Sequence, residues 1–351
     1  MKKKLLSLGL IASMVIASFT GCSKKTYANG KLYVYNCGEY IDEDVIDMFE
    51  KEYDIDVIYS TYNDNETMYS NIAAGGTNYD VVCPSDYMIQ KMIQEDRLAE
   101  LDFSKIPNRS NIDPLYLKTS EQFDPGNKYS VPYCWGTVGI LYNKTKVDEP
   151  ITSWSAIFDE KYKGQILMID SVRDAYMIAL AYLGYDINST NKDEIAEATA
   201  LLQKQYPLVD AYVVDQVRDK MIGDEDAIGV IYSGEAIFTQ RENDNLEYVV
   251  PEEGSNVWID GWAILKDSKN YDNACKWIDF MCREDIALKN FEYITYSTPN
   301  AAARENIEDE ALKNSTVAFP DESVLDRCTS FFYLGSEMEQ YYMDQWNKVK
   351  Q

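Results

Sequence analysis

The sequence predicts an α/β fold. Three observations carry the prediction. Strand-like and helix-like stretches alternate along the whole chain. Several strands run straight into polar turns that carry helix-capping residues. The 46% hydrophobic content of the 351 residues supports an ordinary packed core, and the length suits two ordinary domains or one large one.

Taken in order, "KLYVYNC" (31–37) reads as a strand. "DEDVIDMFEKEY" reads as a helix capped by Asp42, with Val45, Ile46 and Phe49 on the core face. "DIDVIYST" alternates, placing Ile55, Val57 and Tyr59 together as a strand requires. "NETMYSNIAAGG" is a helix closed by glycine, and "YDVVCPS" is a strand leading into the helix "SDYMIQKMIQED", for which Ser85 is the natural cap. After a looser stretch (101–128), "YSVPYCWGTVGILYN" is a strand, and "GQILMIDSVRDAYMIALAYLGY" is a strand turning into a long helix. "AIGVIYSGEAIFTQRE" repeats that arrangement. "NLEYVVPEEGSNVWIDGWAIL" gives two strands around a Glu-Gly turn. "NYDNACKWIDFMCREDIALKNFEYI" is predicted as one helix with Ala274, Trp277, Ile278, Met281, Ile286 and Leu288 at core spacing, and "SEMEQYYMDQWNKVK" as a final helix.

Composition excludes several functions. The formal net charge is −26, which opposes binding to a phosphate backbone and permits a cationic ligand, although an acidic surface is also the ordinary surface of a soluble protein. There is no histidine, which removes Ser-His-Asp and Cys-His chemistry, most catalytic zinc sites and any histidine pH switch. No cofactor or metal is expected.

The N-terminus pairs the basic "MKKK" with the apolar "LLSLGLIASMVIASF" and small residues before Cys22, the pattern of a signal peptide over 1–21. "FTGC" resembles a bacterial lipobox with Phe19 in place of the usual Leu. This implies cleavage before Cys22, its acylation, and a short tether over 22–28. The alternative is an ordinary signal peptide with a chance cysteine. No later segment is apolar enough to span a membrane. Cys37, Cys83, Cys134, Cys275, Cys282 and Cys328 form no C-x-x-C pair, and Cys275 and Cys282 sit two helical turns apart, about 10 Å, too far to bridge. All six are expected as reduced, buried thiols.

Candidate ligand groups gather where strands end, the position at which open α/β sheets bind ligands. "DSVRD" offers Asp174, with Ser171, either as a capping box or as a ligand carboxylate. "PSDY" offers Ser85 and Tyr87, which also read as a cap and as packing. "GEY" offers Glu39, which also reads as a plain turn. "VWIDGW" sets Asp260 between Trp258 and Trp262 in a strand otherwise buried. An unpaired carboxylate there is costly, whereas a carboxylate among aromatic faces suits an organic ammonium group stripped of water. The alternative is an Asp whose head reaches solvent at a strand end.

Seven motifs occur in order: "LYVYNCGEY…STYNDNETMY", "YDVVCPSDYMIQKM", "YSVPYCWGTVGILYN", "SWSAIF…EKYKGQILMID", "LGYDINSTN", "VWIDGWAI" and "YSTPNAAARE". Together they resemble the spermidine/putrescine-binding proteins of bacterial ABC importers over nearly all of 31–351. The resemblance implies a type II periplasmic-binding-protein-like fold, with two lobes (29–135 with 259–304, and 136–258 with 305–351) around a ligand cleft and a hinge crossed near 133–136 and 258–261. It implies polyamine contacts at Glu39, Tyr40, Ser85, Tyr87, Asp174, Tyr232, Trp258, Asp260 and Tyr296, with Tyr232 where the family commonly places a stacking Trp. Cys37 and Gly38 stand where relatives often have Trp and Thr or Ser, and Ser171 where they often have Asp. The cage is therefore thinner, and Cys328 falls near a further polar contact. The implied partners are a membrane permease and its cytoplasmic ATPase, with no nucleic acid. The chain is expected to be a lipid-anchored monomer outside the cytoplasm, or periplasmic in a two-membrane cell, and not an enzyme. Two other readings remain: a binding protein of this fold for another solute such as an oligosaccharide or amino acid, and a secreted carbohydrate-active enzyme using Asp174 and Asp260 as its carboxylate pair.

Overall fold

The computed structural model describes residues 26–38, 40–76 and 78–351, so the signal peptide, Cys22 and Glu39 lie outside the described residues. Among the described residues ten strands form one open sheet: β1 (Lys31–Cys37), β2 (Asp56–Tyr62), β3 (Val81–Val82), β4 (Ser130–Asn143), β5 (Ile166–Ile169), β6 (Ala211–Val213), β7 (Ile228–Tyr232), β8 (Leu246–Val249), β9 (Ser255–Ile264) and β10 (Cys328–Thr329). Their order is β2-β1-β3-β9-β4-β7-β5-β6, with β8 added to β4 and β10 to β9.

Two long strands divide this path into halves. The first part of β4 pairs antiparallel with β9, from Ser130↔Ala263 to Thr137↔Val257, and the far part of β9 pairs with β3. The second part of β4 pairs instead with β7 from Val138 and with β8 from Ile140. One half-sheet is thus β2-β1-β3-β9-β4, and the other is built of β4, β8, β7, β5 and β6. All fourteen residues of β4 are buried, which fits its near-continuous apolar sequence. The register slips between Pro132 and Cys134, a bulge at the point where proline cannot donate to the ladder.

Each half carries its own helices. Phe49, Trp277, Phe280 and Ile286 pack with Trp262 on the first. Tyr176, Leu180, Leu202, Tyr342 and Trp346 pack on the second. The second cluster includes the helix Lys192–Gln205, whose buried Ile195, Ala198, Thr199 and Leu202 hold helical spacing.

The elements follow the expected order with four local differences. The predicted strand at "YDVVCPS" shortens to Val81–Val82, because Pro84 ends it and the buried Asp80 carboxylate takes the Tyr33 and Asn270 amides. The helix predicted as continuous over 270–294 breaks into Tyr271–Met281 and Glu284–Ile294. The Cys282 carbonyl at the break accepts the side-chain amides of Asn111 and Asn300, and Arg283 turns extended to cap the next helix, which opens on Glu284 and Asp285. Ser85 precedes the helix Asp86–Gln94 but makes no side-chain cap bond. The six cysteines of the described residues are free, yet only four are buried, since Cys37 and Cys328 are partly exposed.

Candidate functional site

The first half-sheet delivers Tyr40 just beyond β1, and Ser85 and Tyr87 just beyond β3. The second delivers Asp174 two residues into the helix that follows β5, and Tyr232 as the last residue of β7. All stand at carboxyl ends of strands. Trp258 and Asp260 come from the middle of β9, the first-half strand that lies beside β4, and Tyr296 follows the helix Glu284–Ile294.

Asp260 is 8% exposed. One carboxylate oxygen accepts the Tyr40 hydroxyl at 2.6 Å, and the other has no hydrogen-bond partner. The Tyr40 hydroxyl in turn accepts the Cys134 thiol at 3.0 Å, so the phenol is held from two sides, and the Tyr133 hydroxyl donates to the Tyr40 carbonyl and fixes its backbone. Burial pushes the Asp260 carboxyl up to about 6, while the Tyr40 and Ser85 hydroxyls draw it back. Asp174 repeats the arrangement on the other half. It is 4% exposed, one oxygen accepts the Tyr232 hydroxyl at 2.8 Å, and the other is unpartnered. Burial raises its carboxyl, against the Ser171 and Tyr232 hydroxyls and the Arg173 charge.

The capping box at "SVRD" is therefore only half made: the Ser171 hydroxyl accepts the Asp174 amide, and the carboxylate turns to Tyr232. Ser85 takes a similar course. Its hydroxyl accepts the Asn65 side-chain amide at 2.9 Å and lies beside Asp260, to which Ser85 is bridged on the backbone. This is why it leaves the helix cap unmade.

Aromatic rings connect the two carboxylates. Tyr232 meets Trp258 edge to face at 6.2 Å, Trp258 meets Tyr296 at 5.3 Å, and Tyr296 meets Tyr40 at 5.3 Å. The result is a wall running Asp174–Tyr232–Trp258–Tyr296–Tyr40–Asp260. Two glycines let the rings approach. A Cβ on Gly136 would lie 2.7 Å from the Trp258 ring, and one on Gly234 would lie 2.3 Å from the Tyr296 ring.

Tyr87 is drawn away from this wall. Its hydroxyl donates to Glu66 at 2.9 Å, and its ring meets Phe331 of the second half and lies under the Arg173 guanidinium. Beside it, the Gln90 side chain accepts the Tyr333 amide at 2.7 Å, and Lys91 pairs with Glu339 at 3.0 Å over the Tyr69 ring. The halves thus touch across the cleft.

Of the weaker candidates, Cys37 is near Asp260, whose charge adds to burial in pushing the thiol up to about 12. Gly38 forms a turn on the Tyr62 carbonyl. Cys328 pairs with Ser255 at the start of β9, and its thiol donates to the Val324 carbonyl.

Sequence reasoning missed three acidic partners. Asp86 is fully buried, with one oxygen on the Tyr87 amide and the other unpartnered, and burial with the Asp260 charge raises it well above the usual carboxylate range. Glu66 and Glu235 hold the hydroxyls of Tyr87 and Tyr296. All three sit in first turns of helices, where acids are ordinary dipole partners, so nothing local sets them apart.

The family description Bacterial extracellular solute-binding protein matches residues 44–319, a span that includes every wall residue except Tyr40. The chain belongs to this family. Relatives of this solute-binding protein include the spermidine/putrescine-binding periplasmic protein of Escherichia coli, 39% identical over 295 residues covering 84% of each chain. Spermidine/putrescine-binding periplasmic protein 1 of Haemophilus influenzae is 33% identical over 96% of this chain and 97% of its own. Among solved structures, the spermidine/putrescine ABC transporter substrate-binding protein of Streptococcus pneumoniae superposes with a TM-score of 0.80 at 41% identity, covering 92% of this chain and 98% of that one. The solute-binding protein has the two-lobe type II fold of these neighbours, with an open sheet and the cleft between its halves. Among the described residues no group of three or more His, Cys, Asp or Glu is arranged to hold a metal ion, and no helix is long and apolar enough to cross a membrane.

Proposed function

We propose that this chain is the substrate-binding component of an ABC importer that captures a polyamine, putrescine or spermidine, and hands it to a membrane permease. One observation carries the reading. Two buried carboxylates, Asp174 and Asp260, close the ends of an aromatic wall, and each keeps one oxygen without a partner. Buried carboxylate oxygens need donors, and a desolvated ammonium group at each end supplies both the charge and the hydrogens. The methylene chain between two ammonium groups is matched by Trp258, Tyr296 and Tyr40, whose faces also attract the cations by ~0.5–2 kcal/mol each. The names of the relatives agree with this ligand class. No bond is made or broken in this function, and the sugar-hydrolysis reading of the same carboxylates finds no support in the family.

The division into lobes at 29–135 with 259–304 and 136–258 with 305–351 is part of the proposal, as are the contacts at Glu39, Ser85 and Tyr87. So are placement outside the cytoplasm through an acylated Cys22 and a monomeric state. Isothermal titration with putrescine, spermidine, an oligosaccharide and a panel of amino acids tests the function. Saturable binding of a polyamine alone is expected, and binding of only a sugar or amino acid overturns it.

A further inference from the structure

We infer that Glu235 is a positioning residue for ligand capture, acting through Tyr296, and that Gly234 and Glu235 form a clamp by which the second half of the molecule seats an aromatic side of the site. The inference rests on the polyamine reading for its functional consequence but not for its geometry.

Thr295 lies in the left-handed region with φ 60 and ψ 0, a conformation that β-branched residues rarely adopt. Such strain persists only when the surroundings over-determine it. Here the surroundings are two consecutive residues of the helix Ser233–Glu242. The Thr295 hydroxyl stands 2.7 Å from both the Gly234 and the Ile294 carbonyls, which share its one proton. The Tyr296 ring lies so close over Gly234 that a Cβ there would stand 2.3 Å from Cδ1. The Tyr296 hydroxyl donates to Glu235 Oε1 at 3.2 Å. Glu235 is itself fixed, because its other oxygen meets Arg218 Nε at 3.0 Å, with both side chains mostly buried.

The clamp matters because of where Tyr296 sits. Its ring touches both Trp258 and Tyr40, each at 5.3 Å, and Tyr40 holds Asp260. An unclamped Tyr296 would let the wall between the two ammonium sites shift. Glu235 thus acts on the site through the Tyr296 hydroxyl, while its other oxygen meets Arg218, and its assigned part is to set the shape of the wall.

The test is a double-mutant cycle read in two ways. Polyamine affinity is measured for wild type, Glu235→Ala, Glu235→Gln, Tyr296→Phe and the double variant Glu235→Ala with Tyr296→Phe. Melting of all five without ligand is followed in parallel. Glu235→Ala is expected to weaken binding roughly threefold to tenfold, the size of one lost hydrogen bond. Glu235→Gln keeps an acceptor and should recover most of that loss, and in the Tyr296→Phe background Glu235→Ala should add nothing. A general structural role would instead give the same loss in both backgrounds with no rescue by Gln, which overturns the inference. If wild type binds no polyamine, the functional reading fails. The ligand-free melts then decide the clamp alone: non-additive shifts support it, and additive shifts overturn it.

Discussion

At the scale of single residues, Asp260 sets the expected behaviour. Its carboxyl is raised to about 6 in the folded protein, above the unfolded value of about 3.9. The folded state therefore holds more proton than the unfolded state between those values. The contribution of Asp260 to ligand-free stability is present below about pH 4 and is lost as pH rises through about 6. Cation binding has the opposite sign, because it needs the ionised form. Polyamine affinity should climb between pH 5 and 7 and then level, and titrations below pH 6 in buffers of different ionisation enthalpy should show proton release. A flat affinity over that range would mean that Asp260 does not face the ligand. Asp260→Asn keeps the shape and removes the charge. It is expected to weaken binding by ~2–5 kcal/mol, roughly thirtyfold to several-thousandfold, while the ligand-free variant melts no lower than wild type. Wild-type affinity in that variant would place the cage elsewhere. Trp258→Leu should be milder, ~1–2 kcal/mol. Asp260 was legible in the sequence because a carboxylate between two tryptophans contradicts its own strand. Asp86, equally buried, was not, because an acid one residue after a cap contradicts nothing.

At the scale of elements, the strands and most helices could be read because each carries its own period. What could not be read is partnership. β8 and β9 flank one turn and look like a hairpin in sequence, yet each pairs with a different stretch of β4. Nothing within 246–264 distinguishes these outcomes, since the choice depends on a strand more than a hundred residues earlier. Gly136 shows the same limit. It reads as an irregularity in a strand, but its missing side chain makes room for the Trp258 ring. Gly136→Ala should push that ring and the Ser233 hydroxyl aside, destabilising the fold by ~1–3 kcal/mol as overpacking does and weakening polyamine binding beyond that loss. Denaturant melts beside calorimetry separate the two effects, and unchanged binding at reduced stability would mean that the Trp258 ring has no part in capture.

At the scale of the whole molecule, the halves meet through Tyr87 on Phe331, Gln90 on Tyr333 and Lys91 on Glu339, all outside the aromatic wall. The ion pair is largely shielded, with side chains 11% and 24% exposed. If the halves part to release ligand, these contacts are lost with it, and they would then add to ligand retention without touching ligand. Lys91→Met should raise the polyamine dissociation rate roughly fivefold, about 1 kcal/mol, and leave the association rate nearly unchanged. An unchanged dissociation rate in stopped-flow measurements would assign the pair to the surface alone. Small-angle scattering should show a smaller radius of gyration with saturating spermidine, and no change where calorimetry shows binding would remove closure from the account. The late position of β9 in the chain has a consequence for how the chain becomes a protein. The half-sheet that begins at Lys31 is not finished until β9, more than two hundred residues later, slides between β3 and β4. Its first strands must wait with a gap where their neighbour belongs, and long-range pairings of this kind form slowly. The amides of β1 and β3 should therefore become protected in pulsed hydrogen exchange only together with those of β9, so that the segment carrying Trp258 and Asp260 completes the fold and the site in one event.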